Sequence, residues 1–324
     1  MIPIRNTILT RNYPVINTAL IVVNIFFFIA EISYGDDFNR FIYTYGLVPA
    51  RYSIHEIAAY FSPSQQIISL ISFMFLHGSF WHLAGNMWFL HIFGNTIEDR
   101  LGHLRYFIFY LLCGFSSGLA HLFFNLDSMM PTIGASGAIA GVMGAYFILY
   151  PTSKIVTLIP IVFIPYFMEL PAAIFLGVWL LMQFISATLS SAEAGGIAWW
   201  AHIGGFIFGA LFLKLFLMIP EQGISRTLSK ATVRKSSPRV HIARPASQES
   251  GSGLYGAISI TPEEAARGAK KLISIPIGYR KKPIILTIPP GIRDGMKLRL
   301  TGMGKKMDGD RRGDLYLNVT VRGN

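Results

Sequence analysis

Residues 130–150 read MPTIGASGAIAGVMGAYFILY, and this stretch decides how the rest of the chain is interpreted. Ser136 stands where a Gly-rich turn enters an apolar helix, and Gly134 permits the tight backbone bend before it. Gly137 and Gly141 are four residues apart, so they lie on one helix face that has no side-chain bulk. The stretch therefore predicts a helix that another helix can approach closely. Its serine lies beside free N–H groups that can hold an oxyanion.

A histidine 66 residues later is the candidate partner of this serine. His202 lies in an apolar run in which Ala201, Gly205 and Gly209 are spaced by four. Two helices with small residues on one face can pack together with Ser136 and His202 near their contact. Alternatively, Ser136 is a helix cap and His202 an interhelical hydrogen-bonding group. Because an ionisable side chain inside a membrane span is a functional hypothesis by default, the pair favours a functional site.

A third cluster lies in residues 77–86, which read HGSFWHLAGN. His82 and Asn86 are four residues apart and therefore share one face of a helix. Both side chains can donate hydrogen bonds. They are candidates to bind a developing negative charge.

Four motifs in this order resemble the rhomboid intramembrane serine proteases. They are GASG at residues 134–137, AHIGG at residues 201–205, His82 four residues before Asn86, and EDRLG at residues 98–102. Each motif alone is weak, whereas the ordered combination is highly specific.

The resemblance covers roughly residues 10–217. It implies a catalytic dyad of Ser136 and His202 with no acidic third member. It also implies an oxyanion hole formed by His82, Asn86 and the backbone N–H of Ser136. Substrates would be transmembrane helices with small or helix-breaking residues. The glycines expected to pack near this site are Gly134, Gly137, Gly141 and Gly205.

One position departs from part of that family. In some rhomboids an aromatic residue four positions after the serine stacks on the histidine, and here that position is Ala140. Another group must therefore support the imidazole of His202. The motif itself does not name that group.

The composition predicts an α-helical polytopic membrane protein, since 52% of the residues are hydrophobic. Residues 155–165 contain two prolines and are predicted to lie at the membrane interface. Residues 190–196 are predicted to form a flexible outer loop that could act as a gate. The apolar runs predict six spans, at residues 14–30, 80–97, 104–124, 136–150, 170–187 and 199–217. With the resemblance above, this implies a six-span rhomboid bundle.

Charge and cysteine content restrict the other function classes. Residues 1–217 hold 8 Lys and Arg against 9 Asp and Glu, whereas residues 218–324 hold 20 against 8. This asymmetry suggests a membrane part followed by a cytoplasmic part. The even number of expected spans places both termini in the cytoplasm, and we expect an integral protein of a prokaryotic inner membrane. The basic charges are dispersed, so nucleic acid is not an expected partner. The single cysteine excludes a disulfide framework and a Cys-based zinc site, and we expect no metal and no cofactor.

The C-terminal part follows a different pattern. Residues 1–217 are the expected membrane protease domain and residues 218–254 a basic, Ser-rich, disordered linker. Residues 255–324 alternate apolar and polar side chains, as half-buried strands do. ILTIPPGIRDG at residues 285–295 and GDLY at residues 313–316 resemble the C-terminal peptide-binding domain of DnaJ-type co-chaperones.

That resemblance implies a small all-β sandwich with a groove for extended apolar peptides. A folded cap without a binding function is the alternative. The sequence holds no His-Pro-Asp tripeptide and no Cys-rich module, so activation of a partner ATPase is not expected. For the whole chain, the alternatives to a protease are a membrane-anchored chaperone and a non-proteolytic rhomboid-like binding protein.

Overall fold

The structure is a computed structural model that describes residues 1–161, 164–189, 198–219, 223–233, 254–277, 280–304 and 313–321. The chain forms two compact units, Met1–Arg234 and Lys235–Asn324. The first unit is mainly helical, and the second is built mainly from strands. This division matches the fold class that the sequence predicts.

The helices of the first unit carry most of its apolar sequence. In chain order they are α1 (Val15–Ser33), α2 (Phe38–Tyr45), α3 (Ala50–Ser53), α4 (His55–Ala58), α5 (Pro63–Ser72), α6 (Phe80–Phe89), α7 (Asn95–Leu101), α8 (His103–Phe124), α9 (Ser136–Leu149), α10 (Ala172–Leu189), α11 (Trp199–Met218) and α12 (Gly223–Ala231). A π-helical turn at Leu90–Gly94 joins α6 to α7.

Several of these helices can cross a membrane, so the chain is an integral membrane protein. Within the described residues, α1, α8, α10 and α11 are long and apolar enough to do so. The helices of Pro63–Phe75 and Phe80–Leu101 pass the same test only together, and they are bent by 74°. Helix α9 has 14 residues, short of the ~20 that cross the hydrocarbon. The predicted count of six spans is therefore not confirmed.

Glycines bring the backbones of α9 and α11 into direct contact. A Cβ atom on Gly205 would collide with the carbonyl oxygen of Gly137, and one on Gly209 with that of Gly141. Helix α9 packs equally closely on α8, where a Cβ on Gly141 would collide with the Cys113 side chain. Helix α9 is thus held between two neighbours at distances that only glycine permits.

Most of the stretch predicted to be interfacial, residues 155–165, belongs to a small sheet. Strands β2 (Lys154–Ile161) and β3 (Ile164–Pro171) form an antiparallel hairpin, and β1 (Ile2–Asn6) pairs with β2. The β-branched residues of this stretch favour strands, and its position at the membrane interface stays a prediction. Pro171 ends β3, so the fifth apolar helix begins at Ala172 and not at residue 170.

Part of the predicted disordered linker is folded. Residues 223–231 form α12, and Val233 forms a β-bridge with Asn12. The Thr232 hydroxyl lies 2.7 Å from His103 Nε2, and the backbone N–H of Tyr13 donates to the Thr232 carbonyl at 2.9 Å. These contacts with other parts of the first unit, called the membrane unit below, order a segment whose composition alone predicts disorder. Residues 234–253 lie outside the described part of the chain.

Glu98 gives the EDRLG motif a structural role. Its carboxylate is buried and accepts hydrogen bonds from the backbone N–H groups of Ile16 at 2.9 Å and Asn17 at 2.7 Å. These groups belong to the first turn of α1, where free N–H groups favour a negative charge. The same carboxylate is hydrogen-bonded to Nδ1 of His103. Glu98 therefore joins the starts of α1 and α8.

The second unit contains two sheets and one short helix, α13 (Pro262–Arg267). The strands are β4 (Leu254–Ile260), β5 (Ala269–Ile277), β6 (Arg280–Ile288), β7 (Lys297–Leu300) and β8 (Leu315–Val321). Strand β8 pairs with β4 in parallel and with β7 antiparallel, while β5 and β6 form a hairpin. Buried side chains from both sheets, such as Ile258, Ile288 and Leu317, share one core. The two sheets agree with the predicted sandwich, although α13 means that the unit is not all-β.

The contact between α9 and α11 predicts opposite effects for two glycine substitutions. Gly205→Ala places a Cβ against backbone, which cannot rotate away, and should lower the free energy of unfolding by about 1–3 kcal/mol. Gly177→Ala on α10 meets nothing within 4 Å. It should be neutral, or stabilising by up to about 1 kcal/mol through helix propensity. Thermal unfolding in detergent checks both, and equal responses would contradict the packing described above.

Candidate active site

The turn before α9 places Ser136 at the first position of that helix. Gly134 has φ +121°, a conformation that side chains other than glycine rarely adopt. Its N–H donates to the carbonyl of Phe73 at 2.8 Å, and Thr132 exchanges backbone hydrogen bonds of 2.9 and 2.8 Å with Leu47. The turn is therefore fixed on both sides. Ser136 itself is half-buried.

The structure brings Ser136 and His202 together. His202 lies in the first turn of α11, and its Nε2 is 2.7 Å from Ser136 Oγ. This is a full hydrogen-bond distance between a hydroxyl and an imidazole. His202 is only 8% exposed. A buried imidazole can accept the hydroxyl proton where bulk water does not compete for it.

Helix α10 supplies the group that supports the imidazole. Gln183 Oε1 lies 2.7 Å from His202 Nδ1, and Gln183 is itself buried. Two indole rings flank the same imidazole, with centroid distances of 5.9 Å for Trp179 and 6.2 Å for Trp199. These aromatic contacts come from α10 and α11, whereas the side chain at Ala140 is a buried methyl group.

The sequence reasoning missed Gln183 and Trp179. A signal was available for Gln183, because an amide inside the apolar run of residues 170–187 is unusual enough to count as a functional hypothesis. No sequence pattern pairs Gln183 with His202, since the two lie on different helices. Trp179 gave no signal, because an aromatic side chain is common in a membrane helix.

The other two predicted site residues lie beside the same turn. A Cβ on Gly134 would stand 2.7 Å from His82 Nε2 and 3.6 Å from Asn86 Nδ2, so only glycine fits between these side chains and the backbone. Ser79 caps α6, its hydroxyl accepting from the His82 N–H at 3.3 Å. Asn86 Nδ2 is buried and has no hydrogen-bond partner among the residues that the structure describes. A buried donor without a partner is costly, and here it lies beside Gly134, in the turn that precedes Ser136.

The arrangement can perform acyl transfer. It places the Ser136 hydroxyl, as nucleophile, within hydrogen-bond reach of the His202 imidazole, as base. The amide of Gln183 lies against the other ring nitrogen of that imidazole. Donors for a developing oxyanion are available from Asn86 and from the N-terminus of α9. Within the described ranges, no group of three or more His, Cys, Asp or Glu side chains could hold a metal ion. The proposed gate at residues 190–196 lies outside those ranges.

Comparisons with known proteins agree with the two units. Residues 64–219 match the family model of the Rhomboid domain, and residues 255–324 match that of the DnaJ C terminal domain. The chain is 30% identical over 154 residues to Rhomboid protein 1, mitochondrial, of Saccharomyces cerevisiae. The aligned stretch covers 45% of this chain and 40% of that protein.

It is also 32% identical over 157 residues to RHOMBOID-like protein 6, mitochondrial, of Arabidopsis thaliana, covering 48% of this chain and 45% of that protein. The corresponding match to Presenilin-associated rhomboid-like protein, mitochondrial, of Mus musculus is 28% over 147 residues, 43% of this chain and 35% of that protein. The chain thus spans less than half the length of these relatives. The two family matches confirm both resemblances: the chain joins a rhomboid domain to a DnaJ C-terminal domain.

Proposed function

We propose that this protein is an intramembrane serine endopeptidase that cleaves transmembrane helices with a Ser136–His202 dyad. The observation that carries the proposal is the 2.7 Å distance between Ser136 Oγ and His202 Nε2, on two helices of apolar sequence. The rhomboid relatives support an intramembrane protease-like family. A non-proteolytic rhomboid-like protein would not need a nucleophile and a base in this geometry.

In the proposed reaction, Ser136 Oγ attacks the carbonyl carbon of the scissile peptide bond while His202 Nε2 accepts the hydroxyl proton. The carbonyl oxygen becomes an oxyanion, which receives hydrogen bonds from Asn86, from His82 and from the N–H of Ser136. The imidazolium then donates its proton to the leaving amine, and the C–N bond breaks. Water, activated by the same imidazole, hydrolyses the acyl-enzyme and restores the serine.

Position within the membrane limits the substrates. Helix α9 is short, so Ser136 lies below the surface of the bilayer if α9 reaches the opposite side. A peptide bond inside a regular helix is not accessible to a nucleophile, because the helix surrounds its backbone with side chains. We therefore infer substrates whose transmembrane helix unwinds easily near the site, through small or helix-breaking residues.

The second unit is proposed to act on the cytoplasmic side as a peptide-binding or regulatory domain. The DnaJ C-terminal family match suggests peptide binding, and extended peptides are bound by strand addition in several domain types. The basic charge of residues 218–324 supports the cytoplasmic side. A prokaryotic inner membrane remains a proposal, since the relatives named above are mitochondrial. A membrane-anchored chaperone is the second candidate function, because of this unit.

Removing either member of the dyad should abolish cleavage. Ser136→Ala and His202→Ala should each reduce turnover of a transmembrane model substrate by roughly 10⁴-fold or more, and the double variant should lose no more, because the two groups act as a unit. Labelling by a serine-reactive probe should disappear with Ser136→Ala. Ser116→Ala, at a buried serine of α8, and His91→Ala, at an exposed histidine, are matched controls. Substantial cleavage by either dyad variant would refute the proposal.

Asn86 should contribute to the rate and not to folding. Asn86→Ala should slow cleavage by about 10²–10³-fold, the usual effect of removing one oxyanion donor, while the probe still labels Ser136. Asn86→Asp keeps the shape of the side chain but lacks its N–H groups, and it should slow cleavage to a similar extent as Asn86→Ala. Asn39→Ala, at an exposed position of α2, is the control. A rate unchanged by Asn86→Ala would leave this residue with a structural role only.

The second unit should be separable from the chemistry. Deletion of residues 235–324 keeps α12 and the contact of Thr232 with His103. Cleavage of a short model substrate should therefore stay within about twofold of the full chain, by the additivity of independent sites. Residues 254–324 should unfold cooperatively in isolation and bind extended apolar peptides. Loss of cleavage by a folded deletion variant would favour the second candidate function, a membrane-anchored chaperone. Digestion of this unit in right-side-out vesicles would contradict the cytoplasmic side.

A further inference from the structure

Gln183 contacts the proposed base but has no role in the resemblance from which the dyad came. It lies on α10, whereas Ser136 lies on α9 and His202 on α11, so it connects a third helix to the site. Its side chain is 6% exposed. A buried amide must find partners for its polar atoms, and both partners are identified here.

The two hydrogen bonds of Gln183 define which end of its amide faces the imidazole. The amide nitrogen Nε2 donates to the carbonyl oxygen of Trp179, one turn earlier in α10, at 3.4 Å. That carbonyl can only accept. The oxygen Oε1 is therefore the end that faces His202 Nδ1, at 2.7 Å. A flipped amide would place oxygen against oxygen at Trp179.

This orientation also decides the position of the imidazole proton. An amide oxygen only accepts, so Nδ1 of His202 must carry the hydrogen. In a neutral imidazole the other nitrogen, Nε2, then has a free lone pair. That lone pair faces Ser136 Oγ at 2.7 Å, which is the geometry required to accept the hydroxyl proton. In the other tautomer, Nε2 would carry the hydrogen and could not act as a base.

We infer that Gln183 is a positioning residue that fixes the Nδ1–H tautomer and the orientation of His202. The inference rests on the proposed function, because it assigns the base of that same dyad. Gln183 would then occupy the place that an acidic residue has in a Ser-His-Asp triad, without bringing a charge into the membrane. A carboxylate at this depth would have a large desolvation cost, whereas a neutral amide supplies the same acceptor.

The test compares a variant that removes the acceptor with one that keeps it. Gln183→Met is apolar and of equal length, and it should lower kcat about 10- to 100-fold, the loss usual for neutral or charged groups that orient a metal-bound histidine. KM should be unchanged, since Gln183 does not touch substrate in this scheme. Gln183→Glu, which the apolar surroundings keep as a neutral carboxylic acid, retains an acceptor oxygen on the same stem and should retain most of the activity. Met182→Ala, at the neighbouring exposed position, is the matched control.

A second readout reports the tautomer directly. Histidine labelled with ¹⁵N, with His202→Ala used to assign the signal, should show His202 protonated at Nδ1 in the full-length wild-type protein in detergent. In Gln183→Met the signal should shift towards the Nε2–H form. If the Met variant fails to fold, the wild-type spectrum and Gln183→Glu still decide the question.

Three outcomes would overturn the inference: an Nε2–H tautomer in the wild type, unchanged kcat in Gln183→Met, or equal losses in folded Met and Glu variants. Failure of the proposed function looks different. In that case the wild type neither cleaves a model substrate nor reacts with a serine probe, while the tautomer measurement still tests the contact between Gln183 and His202.

Discussion

The close contact between α9 and α11 is the constraint on which the site depends. Lipid tails are as apolar as leucine side chains, so helices in a bilayer gain little from hydrophobic burial against each other. They associate through van der Waals packing, which small residues improve by letting the backbones approach. Here Gly205 faces Gly137, and Gly209 faces Gly141, with no room for a Cβ atom. This backbone distance is what allows a serine on one helix to reach an imidazole on the other.

The remaining site groups come from other elements, and each is fixed by contacts of its own. The turn before Ser136 is held by hydrogen bonds from Gly134 and Thr132 to earlier parts of the chain. Helix α6 presents His82 and Asn86 on one side of that turn, and α10 presents Gln183 on the other side of the imidazole. Four helices thus contribute side chains around the Ser136–His202 pair and the turn before it. Pre-organisation of this kind costs no rearrangement during reaction, which is why it favours catalysis.

A second set of polar contacts stabilises the membrane unit around Glu98. Its carboxylate binds the first turn of α1 and the ring of His103, whose other nitrogen lies 2.7 Å from the Thr232 hydroxyl. Residues 223–233 are therefore attached to the membrane unit before the chain continues to the second unit. In sequence, Glu98 belongs to a motif that resembles one of the rhomboid family. In the structure, its contacts join helices and touch neither Ser136 nor His202.

The sequence by itself determined the fold class and the candidate residues, because apolar runs, glycine spacing and alternating strands depend on local physical chemistry. It placed Ser136 and His202 on two helices with small residues on one face. It could not count the spans, since α9 is too short and a 74° bend interrupts another apolar segment. The hairpin at β2 and β3, the folded α12 and the contact of Gln183 with His202 were decided only by the tertiary structure. Each depends on partners far away in the chain, and pairing between distant residues leaves no periodic pattern in either segment.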